Sequence, residues 1–503
     1  MRRALEYLAW SLAFALSYAQ SPLYTSNQNQ YFLHGLARAG VGFLRDDWLA
    51  KTTDPTPLFS LMVEALTAWP WIFYLVYAGL MGVYLFSLFG IVSSVFDLRA
   101  AGKRTLVLAT LIVLHSAALR YLMAQLVAPE AGFLLEGGVA GYRLLGAVLK
   151  PNAFGVLLVL SLALFLRNRW VASVVALAAA AAMHPTYLLS AGILLAVYVV
   201  VSGWRPDGRR RAVTMALVGA ALLAPTTAFG LTFRPTGADL YARAADILIR
   251  LRIPHHAIPS KWLDLTVAAQ AILVLGALVL VRRTRLFPVL LLGTLAVAVF
   301  TGAQMLSNNA TLALASPWRL SAVLVPLSTA SVAASGVATL LDSLSARPPA
   351  LRALGVAAYL AVGLAVAAGF YRFSIEIKQQ EQDPASAMMA FVADSLTEGH
   401  TYFIPPKLQD FRLRTGAPVV VDANAIPYAD DEVIEWFDRL KVARNFFRGR
   451  PEWSDCDGLD LARDQYGATH VVLGPELRGL DCPQLDELFN DGAYAVYRIR
   501  AGG

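Results

Sequence analysis

Charge is what this sequence has little of. Asp, Glu, Lys and Arg make up 15% of its 503 residues, against roughly 25% in soluble proteins. That shortage excludes an ordinary soluble globular chain. Cysteine is scarce as well: Cys456 and Cys482 both lie in the polar C-terminal region, so the chain has no CxxC redox or zinc pattern. The two are able to pair if that region is exported. No Gly-rich phosphate loop follows any strand-like run, which leaves no nucleotide signature. Ionisable residues are nearly absent from the middles of the apolar segments, whereas ion-coupled transporters bury them there as relays. A transporter of that kind is therefore disfavoured.

What the chain does have is apolar length. Hydrophobic residues make up 57%, and at about 20 residues per crossing the runs fall at 4–20, 70–96, 105–120, 151–166, 171–184, 186–202, 212–231, 263–281, 286–303, 318–341 and 352–371. The expected fold is an α-helical polytopic membrane protein of about eleven transmembrane helices with a small C-terminal α/β soluble domain. The net charge of +7 sits in short clusters between apolar runs, as the positive-inside rule requires, which argues against nucleic acid as a partner. Met1-Arg2-Arg3 and the apolar run to Ala19 also fit a signal peptide. Glu6 interrupts that run, and the topology works best if the segment stays as the first helix.

The basic connectors 99–104, 167–169, 205–211, 282–285 and 347–352 should face the cytoplasm. Connectors 21–69, 121–150, 232–262 and 304–317 are longer, mixed in charge and rich in His, Asp, Asn and Pro, and should face outside. The expected domains are 1–371, a transmembrane domain with a long first outside loop at 21–69, and 372–503, an exported α/β domain. Strand-like runs lie at 418–422, 469–473 and 493–499, with a helical pattern at 430–447.

Reactive side chains gather on the expected outer border. His34, His184, His255 and His256 project there, and His115 lies near it. The first loop is the richest segment, with Asp46, Asp47 and Asp54 among aromatic and apolar residues, and loops of this length are seldom idle. The plainer alternative is that Asp46 and Asp47 cap a short helix and that Asp54-Pro55 forms a turn. In Arg250-Leu251-Arg252-Ile253-Pro254-His255-His256 two histidines adjoin arginines able to hold a phosphate. Arg319 opens another helix at this border, where snorkelling to headgroups is its plain role. His184-Pro185 breaks a helical hairpin.

This arrangement, with Asp46-Asp47 in a long first outside loop, resembles the GT-C superfamily of polytopic glycosyltransferases. Asn27-Gln28-Asn29-Gln30-Tyr31-Phe32-Leu33-His34-Gly35, Asp47-Trp48-Leu49-Ala50, Asp54-Pro55-Thr56-Pro57, His184-Pro185-Thr186-Tyr187, Pro254-His255-His256 and Asp410-Phe411-Arg412-Leu413-Arg414-Thr415-Gly416 look like segments of an uncharacterised bacterial group of similar architecture. The resemblance implies a multi-pass protein of the bacterial cytoplasmic membrane, with its N-terminus inside and its C-terminal domain outside. It would move a sugar from a polyprenyl-phosphate donor to an acceptor at the outer face by inverting displacement.

On this reading Asp47, or next Asp46, is the general base. Arg252, His255, His256 and Arg319 stabilise the leaving phosphate, and His34, His184 and Asp54 join them in substrate binding. A divalent metal, magnesium or manganese, is left open, with Asp46, Asp47 and Asp54 as oxygen ligands and His255 or His256 beside them. The lipid bilayer is the other partner, and protein partners are not indicated. Two other classes remain: a flippase or transporter for a lipid-linked glycan, and a non-catalytic scaffold of an envelope assembly.

Overall fold

The computed structural model describes residues 2–98, 100–204, 206–448, 456–477, 480 and 482–500. Arg99 and Arg205, two residues of the expected basic connectors, lie outside the described residues, as does Met1. The chain separates into two compact units, Met1–Gln20 with Trp71–Thr232 and Ile249–Ser374, and Ser21–Pro70 with Phe233–Leu248 and Ile375–Gly503. The linear division at 371/372 is thus replaced by an interleaved one. The first outside loop belongs with the C-terminal residues.

The first unit is a helical bundle rich in Leu, Ala and Val, residues that lose little on entering a helix or that pack well in an apolar setting. Six helices among the described residues are long and apolar enough to cross a membrane: Trp71–Val95, Pro185–Gly203, Arg209–Phe233, Leu286–Ser307, Ala310–Ser343 and Pro348–Glu381. A seventh crossing is added if Gly102–Leu114 and Ala117–Leu126, bent by 52°, form one broken span. The bend has a local cause. The Ser116 hydroxyl accepts the Leu119 N–H at 3.2 Å and starts a new helix.

The remaining four expected spans are shorter helices. Arg2–Tyr18, Pro151–Leu166, Trp170–Met183 and Leu265–Val281 have at most 17 residues. At 1.5 Å per residue, each falls short of a hydrocarbon layer of about 30 Å. His115, expected near an aqueous border, is instead fully buried at the bend, its ring between the Leu111 carbonyl at 2.7 Å and the Tyr84 hydroxyl at 3.1 Å.

The second unit contains a four-stranded sheet of order β1-β2-β4-β3, where β1 is Tyr402–Phe403, β2 His470–Leu473, β3 Leu485–Asn490 and β4 Ala495–Ile499. β1 and β2 run parallel and the other pairs antiparallel. The run expected as a strand at 418–422 forms only an isolated bridge, Val419 to Tyr402. Helix Asp430–Phe447 has three acids in its first turn, which suits the positive end of the helix dipole. It buries Val433, Trp436, Leu440 and Ala443 at helical spacing. These pack with Phe403, Val420 and Val471 into one core. Thr236 joins from the middle of the chain, its N–H and hydroxyl donating to the Asp430 carboxylate at 2.8 and 2.7 Å. Cys456 and Cys482 are joined by a disulfide.

Candidate functional site

The expected base comes first. Asp47 is wholly buried: its Oδ2 accepts from Arg412 Nε at 2.8 Å and from the Val419 N–H at 2.9 Å, and its Oδ1 accepts the Leu49 N–H at 2.9 Å. Arg412 Nη1 also donates to Asp422, whose Oδ1 accepts the N–H groups of Asn424 and Ala425 at 2.8 and 2.7 Å. Burial opposes the charge on Arg412, but Asp47 and Asp422 more than offset it and raise its pKa. Both oxygens of Asp47 are committed to these donors, which gives it the part of a structural anchor where the sequence leads one to expect a general base.

The other expected residues of this unit disperse. Asp46 has a side chain 43% exposed and lies 3.9 Å from Arg45. Asp54 takes a 2.8 Å hydrogen bond from Arg38. His34 is buried, and burial lowers its pKa although the Asp54 charge works against that. Asp46, Asp47 and Asp54 therefore engage three different arginines. Among the described residues no three His, Cys, Asp or Glu side chains come together as a metal-holding group. Asp46, Asp47 and Asp54 thus do not come together as oxygen donors for magnesium or manganese among the described residues.

In the helical unit the expected residues do converge. Arg319 Nη1 donates to the Thr186 hydroxyl at 2.6 Å, and its guanidinium lies 4.3 Å from the Tyr142 ring centre. Tyr142 stacks on His256 with centres 4.5 Å apart and planes at 13°. The Trp318 indole N–H donates to the His256 carbonyl at 3.0 Å. His184 is buried, edge-on to Tyr187 at 5.4 Å. His255 is exposed, its ring 4.1 Å from His256, and it feels the charge of half-buried Arg252.

Electrostatics reassigns His256. A carbonyl oxygen only accepts, so the 2.5 Å contact between Nδ1 and the Ala140 oxygen fixes the proton on Nδ1. Burial, with His255, Arg319 and Lys150 adding to it, pushes the His256 pKa down to about 3. The ring is therefore neutral, with a lone pair on Nε2, and it stacks on Tyr142.

Two further cations, Arg143 and Lys150, lie on connector 121–150. Lys150 is half-buried, and burial, then Arg143 and Arg319, lower its pKa to about 8. No carboxylate is among the charges acting on it, and neither Lys150 nor Arg143 has an ion-pair partner among the described residues. Like charges crowded out of water are costly, so this cluster calls for an anion. The same connector carries Glu136. Its Oε1 accepts from the Tyr18 hydroxyl at 3.2 Å and from Arg120 Nη1 at 3.3 Å, while Oε2 is buried with no hydrogen-bond partner.

The bundle pins this connector. Its Leu135 carbonyl accepts from Thr329 at 2.6 Å, Gly137 from Gln270 at 3.0 Å, and its Val139 N–H donates to Ser321 at 2.9 Å. Ala140 and Gly141 take left-handed φ values of 57° and 68°, turning Tyr142 back toward His256. The sequence signal for these residues was the length of connector 121–150 and its Glu136-Gly137-Gly138 turn.

A family model described as Domain of unknown function (DUF6798) matches residues 384–443, the stretch holding Arg412, Gly416 and Asp422. Comparison with curated proteins gives no match. Among solved structures, that of ArnT from Cupriavidus metallidurans bound to undecaprenyl phosphate aligns at a TM-score of 0.53 and 12% identity, covering 98% of this chain and 97% of that one. The fold is like that of ArnT. At 12% identity the likeness is one of fold, and the chemistry follows from this chain's own residues. Those residues include one half-buried set of cations, Arg143, Lys150 and Arg319, with Glu136 on the connector that carries the first two.

Proposed function

We propose that the protein is a membrane glycosyltransferase that moves a sugar from a polyprenyl-phosphate donor to an acceptor hydroxyl by inverting displacement. The observation that carries this reading is the cluster of Arg143, Lys150 and Arg319, with no carboxylate acting on Lys150. It occurs in a fold like that of ArnT, whose structure holds undecaprenyl phosphate. Cations already in place stabilise a leaving phosphate without reorganising when charge develops on it. The aromatic faces of Tyr142 and Tyr187, 4.3 and 5.9 Å from the Arg319 guanidinium, hold that cation in position.

In the reaction the acceptor oxygen forms a bond to the anomeric carbon as the bond from that carbon to the phosphate oxygen breaks. The electron pair leaves with the polyprenyl phosphate and the acceptor proton passes to a base. Glu136 is that base, since Oε2 is buried with no partner and Oε1 is steadied by Tyr18 and Arg120. Exposed Asp46 is the second candidate. On this reading the protein lies in the bacterial cytoplasmic membrane with its N-terminus inside. The Cys456–Cys482 disulfide supports export of the residues that carry it.

Turnover of labelled polyprenyl-phosphate sugars by the purified protein in lipid tests this. Sugar release should fall by about 10²- to 10⁴-fold in Glu136→Gln, with binding of the lipid retained. Unchanged release in Glu136→Gln and loss in Asp46→Asn would move the base to Asp46. Lipid binding without release from any donor would favour a flippase.

A further inference from the structure

Helix Trp170–Met183 and helix Leu188–Gly203 form a hairpin whose tip holds His184, Thr186 and Tyr187. At the other end of the same hairpin is a cavity of about 650 Å³. Three connectors far apart in sequence meet there: Asn168 from the first, Asp207 and Arg211 from the second, Arg283 and Arg285 from the third. Arg211 Nη1 donates to the Asn168 amide oxygen at 3.3 Å. Asn168 takes a left-handed φ of 59°, the turn that brings its amide to Arg211. None of the three arginines has an ion-pair partner among the described residues, and Asp207 is the single acid in the lining.

Beside the polar Ser202 and Thr284, the lining has apolar Phe165, Val201 and Pro288 on the helices and the indoles of Trp170 and Trp204 at their ends. Trp204 is 63% exposed, the placement of a tryptophan at a membrane interface. Topology alone needs arginines in these connectors. It does not need three of them in one concavity walled by apolar side chains. Basic pockets between spans at the cytoplasmic face take anionic headgroups, and guanidinium forks match phosphate oxygens.

We propose that this cavity binds the phosphate headgroup of an anionic phospholipid from the leaflet that borders the basic connectors. It lies one helix length from the Arg319 cluster. The arginines grip the phosphate, and Phe165, Val201 and Pro288 line the path of an acyl chain. The assignment stands on its own lining and does not depend on the glycosyltransferase reading.

The test is binding to the full chain in detergent micelles, titrated with phosphatidylglycerol, phosphatidylcholine or inorganic phosphate and read by native mass spectrometry and thermal shift. Wild type should prefer phosphatidylglycerol to phosphatidylcholine. The preference should weaken about tenfold per arginine in Arg283→Gln and in Arg283→Gln/Arg285→Gln, and survive in Lys150→Met. These arginines are exposed, so the variants are expected to fold, with unfolding temperature in phosphatidylcholine as the control. Equal phosphatidylglycerol affinity in wild type and the double variant would overturn the proposal. So would inorganic phosphate binding as tightly as the lipid and being lost in the same variant, since the occupant would then be a soluble anion.

Discussion

Lys150 is the residue whose behaviour separates a lipid-phosphate site from an incidental basic patch. Its pKa of about 8, lowered by burial and then by Arg143 and Arg319, lies well below the usual lysine value. The charge is present below pH 8 and is lost as pH rises through it. A bound phosphate favours the charged form, so binding takes up a proton above that pH. Affinity for polyprenyl phosphate should therefore be flat from about pH 7, above the second ionisation of a phosphate monoester, to about pH 8 and fall on the alkaline side. Lys150→Met should bind weakly at every pH and show no such fall, as measured by titration calorimetry. An alkaline fall that persists in Lys150→Met would assign it to another group. His256, with a pKa near 3, adds no step in this range.

At the scale of elements, the Arg412 ion-pair group ties together stretches far apart in the chain. Asp47 follows the short turn Leu44–Asp46, Arg412 sits on helix Phe411–Thr415, and Asp422 precedes helix Asp430–Phe447. Gly416 ends its helix at φ 72°, and its carbonyl accepts the Phe43 N–H at 2.9 Å. A Cβ there would approach the Gly42 Cα to 3.1 Å. Removing one partner of a buried pair strands the others, so Asp47→Ala or Arg412→Ala should cost about 3–5 kcal/mol in chemical denaturation of the second unit. Asp47→Asn that kept full stability and lost all turnover would restore Asp47 as a catalytic group.

The same elements show what was legible in the sequence. Helices Trp71–Val95 and Leu286–Ser307 follow from apolar length, and helix Asp430–Phe447 from its period. The run at 418–422 has strand composition, yet the Val419 N–H goes to Asp47. A partner 372 positions away leaves no local trace. Asp47 likewise has the composition of a catalytic acid, and only its arginine, 365 positions distant, gives it a structural role. Lys150 and Glu136 escaped because they are spaced singly along connector 121–150 and form no local motif. Their significance lies in what the fold crowds beside one and leaves unpaired on the other.

For the whole molecule, a fold like that of ArnT with helices long and apolar enough to cross a membrane supplies the setting. On the proposed function, spans such as Ala310–Ser343 and Pro348–Glu381 give a lipid-borne substrate a bilayer in which to lie, and the cation cluster gives its headgroup a place to dock. Binding of a lipid-linked phosphate by Arg143, Lys150 and Arg319 is what the proposed function rests on. The direct measurement is binding of undecaprenyl phosphate and of the uncharged undecaprenol to wild type and to Arg143→Met/Lys150→Met in lipid nanodiscs. The account predicts tight binding of the phosphate, weak binding of the alcohol, and about a hundredfold loss for the phosphate alone in the double variant, at roughly tenfold for each cation. Equal affinity for phosphate and alcohol, or a double variant that binds the phosphate as wild type does, would contradict it.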